Sequence, residues 1–267
     1  MIPAGSPCDG LRAIAAFSAY PVAKRFGWKR TAKWAIRPAQ NMVRMQPIAA
    51  QWWRERAAQP GDFHYLALGD STGQGIGASS PGRSYVGQLA ERIEQRIGSP
   101  IRVTNLCVTG STSAACAREQ VPPARRVLAS GDAPDLVTID VGANDIASWD
   151  PVAYHRSLST IVDALPDHTL VGELPSFHLP WNEPKVREAN RILHRVADAR
   201  GLGIVPLYAA TRSRGITGIL TEFAEDAFHP NDRGYQVWAD AFWPHVEARI
   251  AAVRPIRPTE TAPIGGR

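Results

Sequence analysis

Leu66-Ala67-Leu68-Gly69-Asp70-Ser71-Thr72-Gly73 is the stretch that decides the fold, because an apolar run stops there in a small, polar, glycine-flanked turn. Residues 63–68 are mostly apolar or aromatic, which is typical of a parallel strand covered on both faces. Gly69 and Gly73 permit a sharp turn directly after that strand. Ligands of open α/β sheets bind at the carboxyl ends of strands, so the pattern places Ser71 where chemistry can occur. A serine in such a turn also caps helices, and the rest of the chain decides between the two roles.

The composition is that of a globular protein. The chain has 267 residues, of which 44% are hydrophobic and 21% charged, enough for one large domain and an additional segment. No run reaches the roughly 20 apolar residues of a membrane-spanning helix, and the shorter apolar stretch at 13–23 leaves a degraded signal peptide open. Cys8, Cys107 and Cys116 are too few for a disulfide framework. Cys107 and Cys116 are expected as buried free thiols, or as a pair in an oxidising compartment.

The basic charge is confined to the first 60 residues. They carry ten Lys and Arg against two acidic residues, a net +8, whereas the remainder has 20 basic and 23 acidic residues, a net −3. Aromatic side chains are interleaved with this charge: Phe26, Trp28, Trp34, Trp52 and Trp53. We expect a helical arm that either lies on an anionic membrane surface or packs its tryptophans on its own domain. No nucleic-acid-binding motif accompanies the charge, so a nucleic acid partner is not expected.

From Phe63 onward, strand patterns alternate with helix patterns. Strands are predicted at 63–69, 101–106, 136–141, 169–174 and 203–207, and helices near 84–97, 151–164, 183–199 and 232–251. A further helical region after residue 111 is interrupted by Pro122-Pro123 and resumes to about residue 129. This alternation predicts an α/β fold with a mostly parallel five-stranded sheet. The predicted organisation is a basic helical arm at 1–60, a catalytic domain at 61–251 and a disordered tail at 252–267.

Candidate chemical groups follow the predicted strands. Ser71 follows the first strand, Gly110 the second and Asn144 the third, and Asp226 and His229 stand just before the last helix. Acyl transfer needs a nucleophile, a base, a group that orients the base, and donors for the developing oxyanion. Ser71 is predicted as nucleophile, His229 as base and Asp226 as its orienting carboxylate. The backbone N–H groups of Ser71 and Gly110 and the side-chain amide of Asn144 are the predicted oxyanion donors.

Four segments resemble the sequence blocks of the SGNH (GDSL-type) hydrolases, in the family's order. They are Gly69-Asp70-Ser71, the isolated Gly110, Gly142-Ala143-Asn144-Asp145, and Asp226-Ala227-Phe228-His229-Pro230-Asn231. The segment Val186-Arg187-Glu188-Ala189-Asn190 is also similar to bacterial esterase members of that family. The resemblance covers roughly residues 63–251 and implies a flavodoxin-like three-layer α/β/α sandwich that hydrolyses esters without a metal. It implies the same roles for Ser71, Asp226 and His229, with Ser71, Gly110 and Asn144 as the oxyanion hole.

The predicted function is therefore serine ester hydrolysis through an acyl-enzyme, with a short acyl or acetyl ester as substrate. Lysophospholipase or thioesterase activity at a membrane surface is the alternative, and a non-catalytic membrane-recruited binding module is the other class of function. The histidines show no metal-ligand spacing, so neither a metal nor a cofactor is expected. His178 follows a predicted strand end and is a candidate to line the substrate pocket, and Trp149 and Trp181 are candidates to flank it. A cytoplasmic location is expected, with peripheral membrane association or secretion as alternatives.

Overall fold

The computed structural model describes residues 44–254. Predictions for residues 1–43 and 255–267 lie outside this range. Residues 44–58 form helix α1, which belongs to the predicted arm. Trp53 of α1 is buried in the same apolar cluster as Phe63, and its indole N–H donates to the carbonyl oxygen of Gln74 at 3.1 Å. This end of the arm therefore packs on the domain that follows it.

A five-stranded sheet forms the centre of the domain. Its strands are β1 (His64–Gly69), β2 (Arg102–Asn105), β3 (Leu136–Asp140), β4 (Thr169–Gly172) and β5 (Gly203–Val205). They lie in the order β2-β1-β3-β4-β5, and every neighbouring pair is parallel. Every residue of β1, β3 and β4 is buried, as the apolar runs predict for strands covered on both faces. The predicted α/β architecture is confirmed.

Helices cover both faces of this sheet. They are α2 (Ser71–Gln74), α3 (Tyr85–Ile97), α4 (Ser113–Glu119), α5 (Val121–Leu128), α6 (Pro151–Val162), α7 (Glu183–Asp198), α8 (Leu207–Arg212), α9 (Gly215–Thr221) and α10 (Asp232–Val253). Leu66 and Leu68 of β1 point into the layer formed by α4 to α7. Tyr65 and Ala67 point into the opposite layer, with α1, α3 and α10. Alternate residues of one strand thus serve two cores, which gives three layers.

The helical region after residue 111 is interrupted, as predicted, but the break falls at Gln120, between α4 and α5. Pro122 and Pro123 stand in the first turn of α5, where a backbone N–H has no acceptor to lose. Helices α8 and α9 were not predicted, because each has only six or seven residues and Gly215 and Gly218 weaken the helical pattern.

The described residues also bear on membranes, metals and thiols. Within residues 44–254, no helix has the length and apolar character needed to cross a membrane. In the same range, no group of three or more His, Cys, Asp or Glu side chains is placed to hold a metal ion. Cys107 and Cys116 are buried as free thiols.

Candidate active site

The turn after β1 presents Ser71 at the first position of α2. Gly69 has φ +152°, and a Cβ at this position would lie 2.4 Å from the carbonyl oxygen of Asp140, so only glycine fits. Asp70 is the helix N-cap: its Oδ1 accepts from the backbone N–H of Thr72 at 2.9 Å and from the Thr72 hydroxyl at 2.8 Å. The capping role thus belongs to Asp70, which leaves the Ser71 hydroxyl available for other partners.

Ser71, His229 and Asp226 form a continuous hydrogen-bonded chain. Ser71 Oγ lies 2.8 Å from His229 Nε2, and His229 Nδ1 lies 2.6 Å from Asp226 Oδ2. All three side chains are buried. A carboxylate on Nδ1 fixes the tautomer in which Nε2 can accept the serine proton. The three predicted residues are therefore brought together, in the arrangement that activates a serine hydroxyl.

The segment from Asp226 to His229 is shaped to hold this carboxylate. Asp226 Oδ1 accepts from the backbone N–H groups of Phe228 and His229, both at 2.9 Å, while Oδ2 faces the imidazole. Ala227 adopts a left-handed conformation, φ +52°, which is uncommon for a residue with a side chain and is typical of strained functional segments. Burial acts to raise the pKa of Asp226, but the hydrogen bond and charge of His229 and the two backbone donors outweigh it and lower the pKa.

The predicted oxyanion donors include two backbone groups and one side-chain amide. In the described chain, the backbone N–H groups of Ser71 and Gly110 have no hydrogen-bond acceptor, and Gly110 has φ +77°. Asn144 Nδ2 donates to the carbonyl oxygen of Ser111 at 3.0 Å and, over a longer 3.3 Å, to Asp70 Oδ2. The amide thus lies between the turn after β2 and the turn that carries Ser71.

Replacing Asn144 by alanine tests its predicted role. If Asn144 donates to the oxyanion, kcat should fall by about 10²- to 10³-fold, equivalent to about 3–4 kcal/mol of transition-state stabilisation. KM should change little, since the bond strengthens only as negative charge develops. The measurement is steady-state kinetics on a nitrophenyl ester, with thermal unfolding as a check on folding. A variant with unchanged kcat would remove Asn144 from this role.

Gln120 supports the site and was missed by the sequence reasoning. Its side-chain amide accepts from the N–H of Gly69 at 2.9 Å and donates to the carbonyl oxygen of Gly69 at 2.7 Å. The same Nε2 donates to Ser111 Oγ at 3.2 Å. Gln120 therefore joins the turn after β1 to the turn after β2 from beneath. No local signal marks it, because a glutamine between two short helices has no sequence motif.

Asp145 accepts from the N–H and hydroxyl of Ser113, at 2.8 and 2.6 Å. Burial is the main cause that raises its pKa. The two hydrogen bonds from Ser113 fix the start of α4 against the segment that carries Asn144.

The sequence suggested that Trp149 flanks the cleft, but Trp149 is not in the cleft lining. Its indole N–H donates to Glu188 at 2.8 Å.

A largely apolar cleft of about 270 Å³ opens beside Ser71 and His229. Its other lining side chains include Phe177, Leu179, Trp181, Phe223, Phe228 and Trp238. His178 also lines it, as the sequence predicted, and its ring meets that of Phe223 edge to face at 6.5 Å. The cleft can hold the apolar part of a substrate next to the serine hydroxyl.

The chain is similar to proteins of a known family over most of its length. The model of the GDSL-like lipase/acylhydrolase family matches residues 67–237. The chain is 27% identical over 207 residues to a GDSL-like esterase of Mycobacterium tuberculosis; the match covers 71% of this chain and 63% of that protein's length.

Solved structures share the fold. An acetyl xylan esterase from Geobacillus stearothermophilus superposes with a TM-score of 0.56 at 20% identity, covering 69% of this chain and 94% of that one. A lipase/acylhydrolase from Enterococcus faecalis gives a TM-score of 0.57 at 19% identity, covering 70% and 96%. An esterase from Pseudoalteromonas, solved with monoethylphosphonate as inhibitor, gives 0.55 at 18% identity, covering 70% and 98%. At these identities the likeness concerns the fold.

Proposed function

Because the chain belongs to the GDSL-like lipase/acylhydrolase family, we propose that it hydrolyses carboxylic esters through an acyl-enzyme formed on Ser71. The observation that carries the proposal is the pair of short contacts from Ser71 to His229 and from His229 to Asp226, 2.8 and 2.6 Å. Nucleophile, base and orienting carboxylate are in hydrogen-bond reach before any substrate binds.

The reaction follows from this arrangement. His229 Nε2 takes the proton of Ser71 as Oγ attacks the ester carbonyl carbon, and the ionised Asp226 stabilises the imidazolium. The oxyanion is held by the N–H groups of Ser71 and Gly110 and by the amide of Asn144. Collapse of the tetrahedral intermediate expels the alcohol, which receives the proton from His229. Water activated by His229 then attacks the acyl-enzyme and releases the carboxylic acid.

The size and lining of the cleft favour a small ester with a short acyl chain as substrate. Its volume of about 270 Å³ lies just below the roughly 300–1,000 Å³ of common small-molecule sites. The aromatic lining favours an aliphatic acyl group over a hydrated sugar. An acetyl group fits as well, and leaves most of the cleft empty.

A series of nitrophenyl esters with acyl chains of increasing length tests this proposal. We expect kcat/KM to be highest at or below about eight carbons and to fall at least about tenfold at twelve, because the longer chain exceeds the cleft. The wild type should act on these esters without an added metal. Rates that keep rising to twelve carbons would contradict the short-chain assignment, and absence of any ester hydrolysis would contradict the function.

A second candidate is hydrolysis of a lipid ester at a membrane surface. It is favoured by exposed large apolar side chains: Trp181 (54% exposed) in the cleft lining, and Ile216 (74%) and Leu220 (77%) on α9, which directly precedes the lining residues Glu222 and Phe223. The basic charge of residues 1–60 would add attraction to an anionic surface. The deciding assay uses a lysophospholipid on anionic vesicles. This candidate requires that the lysophospholipid is hydrolysed faster than soluble esters. The rate on vesicles should fall in Leu220→Asp. It should not fall in the control Val152→Asp, because the side chain of Val152 is also exposed (66%) but lies on α6.

A further inference from the structure

The segment between β4 and α7 contains no helix or strand and forms one wall of the cleft. Its lining residues are Pro175, Ser176, Phe177, His178, Leu179 and Trp181. We call residues 175–181 the wall segment. The edge-to-face contact of His178 with Phe223 joins this wall to another part of the lining. The shape of the wall segment therefore helps to set how much of an acyl chain the cleft admits.

A buried carboxylate accepts most of the hydrogen bonds that hold this segment. Glu183, at the start of α7 and only 7% exposed, directs Oε1 toward the wall segment. That oxygen accepts from the hydroxyl of Ser176 at 3.0 Å and from the N–H groups of Phe177 and His178 at 2.8 and 2.9 Å. Three donors converging on one carboxylate oxygen form the kind of concavity in which backbone N–H groups bind an anion.

The conformation that this carboxylate holds is a strained one. His178 has φ +55°, the left-handed region that residues with side chains seldom adopt. Such a conformation persists only where the surroundings determine it, and it is common at ligand-binding segments. The hydrogen bond from the His178 N–H to Glu183 directly opposes relaxation of the wall segment.

The other oxygen of Glu183 ties the wall segment to α8. Oε2 accepts from the hydroxyl of Tyr208 at 2.7 Å. Thr211, also on α8 and part of the cleft lining, accepts from the N–H of Ser176 at 2.8 Å. The wall segment is therefore held by Glu183 of α7 and by Thr211 of α8. Glu183 also bonds Tyr208, and so it connects the wall segment to both helices.

We propose that Glu183 is a positioning residue that sets the acyl-chain selectivity of the cleft by holding the wall segment in its strained conformation. This inference rests on the proposed ester hydrolysis at Ser71. Glu183 does not act on the reacting atoms; it acts through Ser176, Phe177 and His178. Its loss should therefore change which esters are accepted while the hydrogen-bonded chain from Ser71 to Asp226 remains.

The test compares kcat/KM for nitrophenyl hexanoate and nitrophenyl acetate in variants of the full chain. In Glu183→Ala we expect the hexanoate-to-acetate ratio to fall about tenfold, mainly through a higher KM for hexanoate, because the wall that contacts the longer chain is released. The acetate rate should stay within about twofold, since an acetyl group is small and gains little from contacts with the lining. Glu183→Gln should restore the wild-type ratio, because its amide oxygen can accept from the same three donors and its NH₂ can donate to Tyr208.

Glu188→Ala is the matched control, because Glu188 is on the same helix but bonds Trp149 outside the cleft; its ratio should equal that of the wild type. Glu183→Asp keeps the charge but withdraws the carboxylate by one methylene, so it serves if Glu183→Ala does not fold, and its ratio should also fall. An unchanged hexanoate-to-acetate ratio in Glu183→Ala, or an equal loss of kcat/KM on both esters, would overturn the role proposed for Glu183 and leave the proposed function standing. A wild type inactive on every ester would overturn the proposed function as well.

Discussion

Ser71→Ala should lower kcat by about 10⁴- to 10⁶-fold while the protein remains as stable as the wild type. The hydroxyl makes one side-chain contact that matters for chemistry, the 2.8 Å bond to His229, and Asp70 provides the helix cap. Removing Oγ therefore costs little packing and no capping bond. The measurement is hydrolysis of a short nitrophenyl ester by both proteins, with thermal unfolding followed in parallel.

Ser84→Ala is the control with the opposite expected pattern. Ser84 is a buried serine that caps α3, where its Oγ accepts from the N–H of Gly87 at 3.0 Å. Its replacement should cost about 1 kcal/mol of unfolding free energy and leave kcat unchanged. Full esterase activity in Ser71→Ala would contradict the acyl-enzyme mechanism. A non-catalytic binding module predicts no ester hydrolysis in either the wild type or the Ser71 variant.

Asp226→Asn should lower kcat by about 10⁴-fold with little change in KM. The carboxylate both fixes the tautomer of His229 and stabilises the imidazolium that forms during attack. An asparagine can present an N–H to Nδ1 and so favour the wrong tautomer. The bonds from Phe228 and His229 can still be accepted by the amide oxygen, so the local fold should persist. Steady-state kinetics at neutral pH measures the effect, and a kcat within about tenfold of the wild type would contradict the assigned role.

The lowered pKa of Asp226 also predicts a pH dependence of stability. A carboxyl whose pKa is lower in the folded than in the unfolded state stabilises the fold above its unfolded pKa, about 3.9 for Asp. That contribution is lost as pH falls through the folded pKa. The wild type should therefore be more stable than Asp226→Asn at pH 7, and the difference should shrink below about pH 4. The measurement is denaturant unfolding of the wild type and Asp226→Asn at pH 7 and below about pH 4, which gives the difference in unfolding free energy at each pH.

Much of the fold and the catalytic chain was readable from local pattern. The apolar runs predicted strands because strands covered on both faces are mostly apolar, as Tyr65 to Leu68 of β1 show. The three-residue spacing of Asp226 and His229 made contact between them possible within one turn, and the structure places them 2.6 Å apart. The roles of Ser71, Gly110 and Asn144 stay predictions, to be decided by the substitutions above.

Other parts of the site depend on contacts that no local pattern encodes. Gln120 bonds the backbone of Gly69, which is 51 residues away. Glu183 bonds the backbone N–H groups of Phe177 and His178, which are close in sequence but lie in a segment with no helix or strand pattern. The strained conformations of His178 and Ala227 arise because surrounding donors and acceptors determine them, whereas their residue types predict ordinary backbone. Helices α8 and α9 are too short to show a clear helical period of apolar residues. The sequence therefore predicted no structure for the segments that contain Thr211, Ile216 and Leu220.

Reaction with a fluorophosphonate tests the nucleophile most directly, because the reagent phosphonylates only a serine whose hydroxyl is activated and whose oxyanion is stabilised. We expect intact-mass measurement to show one adduct on the wild type, peptide mapping to place it on Ser71, and Ser71→Ala to show none. Labelling that is as fast in Ser71→Ala as in the wild type, or an adduct mapped to another residue, would contradict the assignment of Ser71.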